Sequence, residues 1–327
     1  MAVRYRRFHD RAHVCHHRPG SREDVAIQTT ILFFDYHAAA VTLATARTNA
    51  ATNDTLYTLN QGRFQIGSIG ENDLLQSELA LLQARTAVAE AELEHDRARA
   101  ALLIGLNLPA GTPVEIVVPT MPPDFAIDPA LAVSEALSNL SVVSSLQLQD
   151  VQSQRSVAEA KLSNNFNATL TASYGFNATG TNFTRTYGDL LNPQQVRLQV
   201  DVPILQWGAG AEEVRAAQAD QEQVAILAES QMAQVEHQAH FAALALIQAR
   251  RNLALSATAD TVAQRRFDVA YNRYLIGNIN IDNLYVAQQE KDQARTQSIR
   301  ALRGYWEAYY ELRRVTLYDF ERDERIR

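Results

Sequence analysis

Few residues in this chain have the types and spacing needed for chemistry, and none of them assembles a reaction centre. His13, Cys15, His16 and His17 crowd into one short stretch and could hold a metal or an anion. Cys15 is the single cysteine, however, and no second ligand pair follows, so residues 1–24 read as a disordered leader. That leader holds six Arg and four of the eight His. No apolar core follows its positive charge, so it is not a secretory signal peptide. His237 and His240 sit three apart on a helix, but the nearby Glu236 points to another face, and His37 and His95 stand alone. There is no phosphate loop, no nucleophile elbow and no carboxylate pair spaced for acid–base work. The sequence therefore predicts no catalytic, cofactor-binding or metal-ligating residue, no cofactor and no enzyme.

The elements that could position functional residues are long helices. A mean hydropathy of −0.22 and the lack of any apolar run of 18 residues exclude a bundle of membrane-spanning helices. A net charge of −7 argues against a nucleic-acid partner. From Val25 to Gln65 apolar residues recur at helical spacing, including Ile31, Phe34, Ala38, Val41, Leu56 and Leu59. After Ile66-Gly-Ser-Ile-Gly70, Asn72 or Asp73 can cap a second helix to about Leu103, ended by Gly105 and the prolines beyond it. The Pro-rich stretch 111–129 is a linker, and two shorter helices follow at about 130–139 and 142–164. The period then changes. In 166–176 every even residue is apolar or small, while Asn167, Thr169, Thr171 and Ser173 alternate with them. A second alternation, 196–204, sets Arg197, Gln199 and Asp201 against apolar neighbours. A helix over about 211–274, free of Pro and Gly, points to coiled-coil packing, and a last helix starts near Asp282.

The two hairpins are copies of one another. Arg63-Phe-Gln-Ile-Gly-Ser-Ile-Gly-Glu-Asn-Asp-Leu74 aligns with Arg273-Tyr-Leu-Ile-Gly-Asn-Ile-Asn-Ile-Asp-Asn-Leu284 at a constant offset of 210 residues, and both continue to Gln-Ala-Arg-Thr. Nine of the 24 aligned positions are identical. Gly67 and Gly277 fall where a positive φ would end the first helix of each copy. The segments are then a leader (1–24), a first hairpin (25–108), a linker with short helices (109–165), a strand pair (166–207), a second hairpin (208–320) and a charged tail (321–327).

On the duplicated turn, the Leu102-Leu-Ile-Gly-Leu106 helix end, the two strands and Val202-Pro-Ile-Leu-Gln-Trp-Gly-Ala-Gly210, the sequence resembles the TolC-like outer-membrane efflux proteins over about residues 26–320. The resemblance implies a mainly α fold of very long antiparallel helices with transmembrane-type strands. In that family three chains build one β-barrel and one periplasmic α-barrel. It also implies a homotrimer in the bacterial outer membrane, in contact with outer-membrane lipid, with its helical part in the periplasm. The duplicated tips would dock a periplasmic adaptor and, through it, an inner-membrane transporter. The docking residues implied are Arg63, Gly67, Ser68, Ile69, Asp73, Arg273, Gly277, Asn278 and Ile279. Tyr274, Asp282 and Asn283 are implied at a pore constriction. Asn167, Thr169, Thr171, Ser173, Arg197, Gln199 and Asp201 would face the barrel lumen, with Trp207 at the interface. The family carries two strands in each repeat. Subtracting 210 places the first pair before residue 1, so the sequence reads as a shortened form of a longer protein. Two other architectures remain open: a periplasmic adaptor, which has one hairpin between lipoyl-like and barrel strands, and a soluble coiled-coil scaffold.

Overall fold

A computed structural model describes residues 2–119, 123–163, 167–175, 194–202 and 207–326, with side chains from Arg22 onward. The helices are α1 (Ala2–Gln65), α2 (Glu71–Gly105), α3 (Pro129–Asn139), α4 (Ser141–Ser163), α5 (Ala209–Leu275) and α6 (Ile281–Thr316). The strands are β1 (Asn167–Tyr174), β2 (Gln194–Asp201), β3 (Tyr318–Asp319) and β4 (Glu324–Arg325). They fall into two compact units, residues 1–141 with 235–327 and residues 142–234. Among the described residues no helix is long and apolar enough to cross a membrane.

In the first unit, α1 and α2 form one hairpin, and the end of α5 with α6 forms the other. α1 runs antiparallel to α6. Leu56 packs with Tyr274, Ile281 and Leu284 near the turns, and Asn49 bonds Asp292 farther along. The largest core lies on the other side of that bond, where Phe34, Leu246, Leu253, Leu302, Tyr305, Tyr309 and Leu312 close around Ala132 and Ala243. Alanine at these two fully covered positions lets the helices approach closely. A third core, Tyr36, Ala39, Ala98 and Leu102, joins α1 to α2.

Between the cores the α1–α6 seam is polar. Asn49 donates from Nδ2 to Asp292 at 2.6 Å and accepts from Lys291 Nζ at 3.1 Å. Lys291 also lies 4.4 Å above the Phe267 ring. Asn53 and Gln288, one turn nearer the hairpin turns, are buried. The bonds of Asn49 to Asp292 and Lys291 favour one register, because a slip would separate these partners.

Two sequence expectations change, at the leader and at the cap of α2. The backbone of α1 is helical from Ala2, where a disordered leader is predicted; the His13, Cys15, His16 and His17 side chains lie outside the described residues. α2 ends at Gly105 as predicted, though without a positive φ at that residue. Asn107 takes that conformation (φ 54°), while a Cβ on Gly105 would sit 2.3 Å from Leu32 Cδ1, so its small size admits Leu32. The cap of α2 is Gly70, with no side-chain bond, and Asn72 and Asp73 lie within the helix. The charged tail is folded, with β4 pairing β3. Arg313 anchors this end, bonding Glu23 at 3.2 Å and Asp319 at 2.5 Å. Burial works against its charge, but the bonds to Glu23 and Tyr309 outweigh that and raise its pKa.

In the second unit, β1 and β2 pair antiparallel in the register Asn167↔Asp201 through Tyr174↔Gln194. They span 167–174 and 194–201; of the predicted 166–176 and 196–204, residues 166, 176, 203 and 204 lie outside the described residues. Val143, Leu146, Val157 and Ala160 are the buried apolar residues of α4.

Candidate functional site

The hairpin turns bring most of the predicted docking residues together, and the two turns are built alike. Gly67 (φ 72°) and Gly277 (φ 78°) take the left-handed conformation that closes a Schellman motif. In the first turn Ser68 N donates to Arg63 O at 2.8 Å and Gly67 N to Phe64 O at 2.9 Å. In the second, Asn278 N donates to Arg273 O at 2.9 Å and Gly277 N to Tyr274 O at 3.0 Å. The repeat is thus preserved in hydrogen bonds as well as in sequence. Ser68, Asn278, Ile66 and Ile276 are exposed, and Ile69 and Ile279 are half-buried.

The contacts around the turns are not alike. Arg63 Nη2 donates to Tyr274 O at 3.2 Å and Leu275 O at 2.9 Å, capping the C-terminus of α5, where a cation complements the helix dipole. Its guanidinium also stands 5.1 Å from the Tyr274 ring centroid. Tyr274, implied at a constriction, is only 4 % exposed, and its hydroxyl donates to Asn60 Oδ1 at 2.6 Å, so here it is a packed joint between hairpins. Asp282 accepts from Gln76 Nε2 at 2.6 Å, joining α6 to α2. Asn283 donates its backbone N–H to the capping side chain of Asn280 at 3.2 Å. Asp73 is half-buried in the first turn of α2, and Arg273 is exposed. Sequence reading missed Asn60 and Gln76. Comparing the two copies for buried polar positions present in only one of them would have found Asn60, which faces Ala270 in the alignment.

The strand pair forms the second candidate surface. Its register opposes Asn167 to Asp201, Thr169 to Gln199 and Thr171 to Arg197, so the polar residues predicted for the lumen share one face. Ala168, Leu170 and Ala172 meet Val200, Leu198 and Val196 on the other. Every residue of both strands is exposed, so an apolar face of Leu170, Val196, Leu198 and Val200 is left open. Among the described residues no further strand pairs with this two-stranded ribbon, which leaves two edges. Trp207 follows in a left-handed conformation (φ 46°) and is 92 % exposed. Among the described residues no group of three or more His, Cys, Asp or Glu is placed to hold a metal ion.

No protein-family profile matches the sequence, and no curated protein matches it. Solved structures do match. A membrane protein from Pseudomonas aeruginosa superposes with a TM-score of 0.71 at 17 % identity, over 91 % of this chain and 69 % of that one. The Campylobacter jejuni CmeC outer membrane channel gives 0.69 at 18 % identity, over 92 % and 64 %. The open state of the Neisseria gonorrhoeae MtrE outer membrane channel gives 0.69 at 15 % identity, over 92 % and 68 %. The chain therefore has the fold of the TolC-like outer-membrane channels. It spans about two thirds of the length of the channels it matches.

Proposed function

We propose that this chain is a subunit of a passive outer-membrane export duct, a homotrimer without catalysis of its own, whose hairpin turns dock a periplasmic adaptor that links it to an inner-membrane transporter. The observation that carries this reading is the β1–β2 register. It sorts eight polar residues to one face and every large aliphatic residue to the other, where Gln194 is the one polar residue, and this is the pattern a water-filled barrel in lipid requires. Two strands cannot stand alone in hydrocarbon, because their edges would leave backbone groups unpaired, so neighbouring copies must complete the barrel. The resemblance of the fold to outer membrane channels points the same way. In this reading Asn167, Thr169, Thr171, Ser173, Arg197, Gln199 and Asp201 face the lumen. Ser68, Asn278, Ile66 and Ile276 are the exposed residues of the docking turns, and Asp73 and Asp282 supply carboxylates near the pore end, where they would favour cations.

Membrane fractionation with chemical cross-linking tests the reading. The expected result is a detergent-requiring species in the outer-membrane fraction that cross-links to three chain masses. Recovery as a monomer without detergent would overturn it. For the docking turns, an Ile66→Asp/Ile276→Asp variant should keep the trimer and lose co-purification of an adaptor.

A further inference from the structure

A cavity of about 1200 Å³ opens among α1, α2, α5 and α6, within the helical unit. Carboxamides are prominent in its lining: Asn49 and Asn53 from α1, Gln76 and Gln83 from α2, and Gln288 and Gln293 from α6. Leu79, Ala84 and Ala87 of α2 add an apolar patch. The volume exceeds the roughly 300–1,000 Å³ of an ordinary small-molecule site, so a solute of two or three rings fits.

Two of these carboxamides lack a partner. Asn53 and Gln288 are 4 % and 9 % exposed, yet among the described residues Asn53 Oδ1 and Gln288 Oε1 accept no hydrogen bond. The Tyr285 hydroxyl, one turn from Gln288 on the same lining, has no partner either. Buried polar atoms in this state are uncommon, because each gives up its bond to water and gains nothing in exchange. The terminal torsion of an amide side chain is broad, so a rotation presents its oxygen to a donor in the cavity. The charges of the lining, by contrast, are largely matched. Glu290 pairs with Arg266, Arg295 with Asp260 at 2.9 Å, and Asp292 with Lys291 at 3.4 Å. Arg300, the remaining charged residue of the lining, is exposed. An ionic solute would therefore meet little net charge, and recognition falls to neutral groups.

We propose that this cavity binds a neutral polyhydroxylated solute, in chemical terms a short saccharide. A hydroxyl donates and accepts at once, and a carboxamide does the same. A sugar hydroxyl can therefore give its proton to Asn53 Oδ1, Gln288 Oε1 or the Tyr285 oxygen and take a bond from an amide N–H of Gln83 or Gln293. The C–H face of a sugar ring is apolar and packs on Leu79, Ala84 and Ala87. The cavity is formed within one chain, so it requires neither a neighbouring copy nor the export reading.

Saturation-transfer NMR on the full chain tests this, in a detergent without a sugar head group. The probes are maltotriose and cellotriose, with spermidine and citrate as charged controls. Signal should pass to the ring protons of at least one sugar more strongly than to either control. Gln288→Met keeps the length of the side chain and removes its oxygen, and it should weaken sugar binding about tenfold. Asn53→Leu/Gln288→Met should abolish the transfer with the circular dichroism unchanged; where the double variant does not fold, Gln288→Met alone decides. Transfer to neither sugar would overturn the proposal, as would equal binding by the wild type and Gln288→Met. Stronger transfer to spermidine or citrate than to the sugars would assign the cavity to a charged ligand and overturn it as well.

Discussion

The hairpin turns and the strand pair differ in how much of their structure one chain completes. At the turns, backbone groups are closed by Schellman bonds, Arg63 caps α5, and Leu56, Tyr274 and Leu284 are buried. The strand pair has the reverse character. All sixteen of its residues are exposed, half of them on an apolar face, and its two edges are open. The difference teaches where the fold's stability resides. The helical unit carries its own core, whereas the ribbon has a pattern without a core, and in the proposed duct its burial would come from lipid and from other copies.

The largest test of that contrast is Leu56→Ala. Its side chain is fully buried among Tyr274, Ile281 and Leu284, so unfolding of the helical unit should lose about 2–5 kcal/mol in a denaturant titration. A loss below about 1 kcal/mol would mean that the turns are not closed by the chain itself. Leu198→Arg addresses the ribbon. It should cost about 2–4 kcal/mol of membrane insertion, read as loss from the outer-membrane fraction, with little change in the unfolding of the helical unit. Equal effects of Leu198→Arg and Gln199→Arg on insertion would break the two-face assignment. Gly67→Ala and Gly277→Ala should each cost about 1–2 kcal/mol, and by similar amounts, since the φ angles and closing bonds match. A large inequality would separate the two turns. The smallest effect concerns pH. Burial, helped by Arg295, lowers the pKa of His37 below its ordinary 6.5. The unfolded chain then binds a proton more readily than the folded one. Stability should be level above about pH 6.5 and fall as the pH drops below it, and His37→Gln should flatten that fall in thermal melts.

Much of the helical architecture was legible, because it rests on local rules. Helical periodicity and the absence of Pro and Gly delimit α5 to within two residues, and the glycine of a Schellman turn has no substitute of equal ease, so Gly67 and Gly277 were visible at once. The start of α3 also follows a local rule: the Asp128 carboxylate caps it, accepting from Ala130 N at 2.9 Å, with Pro129 in its first turn. The strands were visible through their period of two, while β2 starts two residues earlier than alternation placed it, since strand ends depend on pairing that alternation does not encode. What escaped is non-local. Gly70 caps α2 without a side-chain bond, where composition favoured Asn72 or Asp73. Asn107, not a glycine, takes the left-handed turn after α2. The β3–β4 pair is held by Arg313 and by Arg325, which bonds Glu135 at 3.1 Å; these are contacts between distant segments. At the site, Tyr274 was singled out, but its partner Asn60 lies 214 positions away in the sequence and could be found only by folding the chain or by comparing the copies.

The polar seam between α1 and α6 also bears on the order of events as copies come together. A neighbour's α2 resembles α6 closely enough to compete for α1, yet it would offer Leu82 where Asp292 stands and leave the half-buried Asn49 without its acceptor. An amide stranded in this way costs at most about 1–3 kcal/mol. In the proposed oligomer, an α1 still free when a neighbour arrives would therefore prefer its own α6, and exchange of helices between molecules would be discouraged at Asn49. That residue would act as a proofreading contact, favouring a molecule that closes on itself before it joins another.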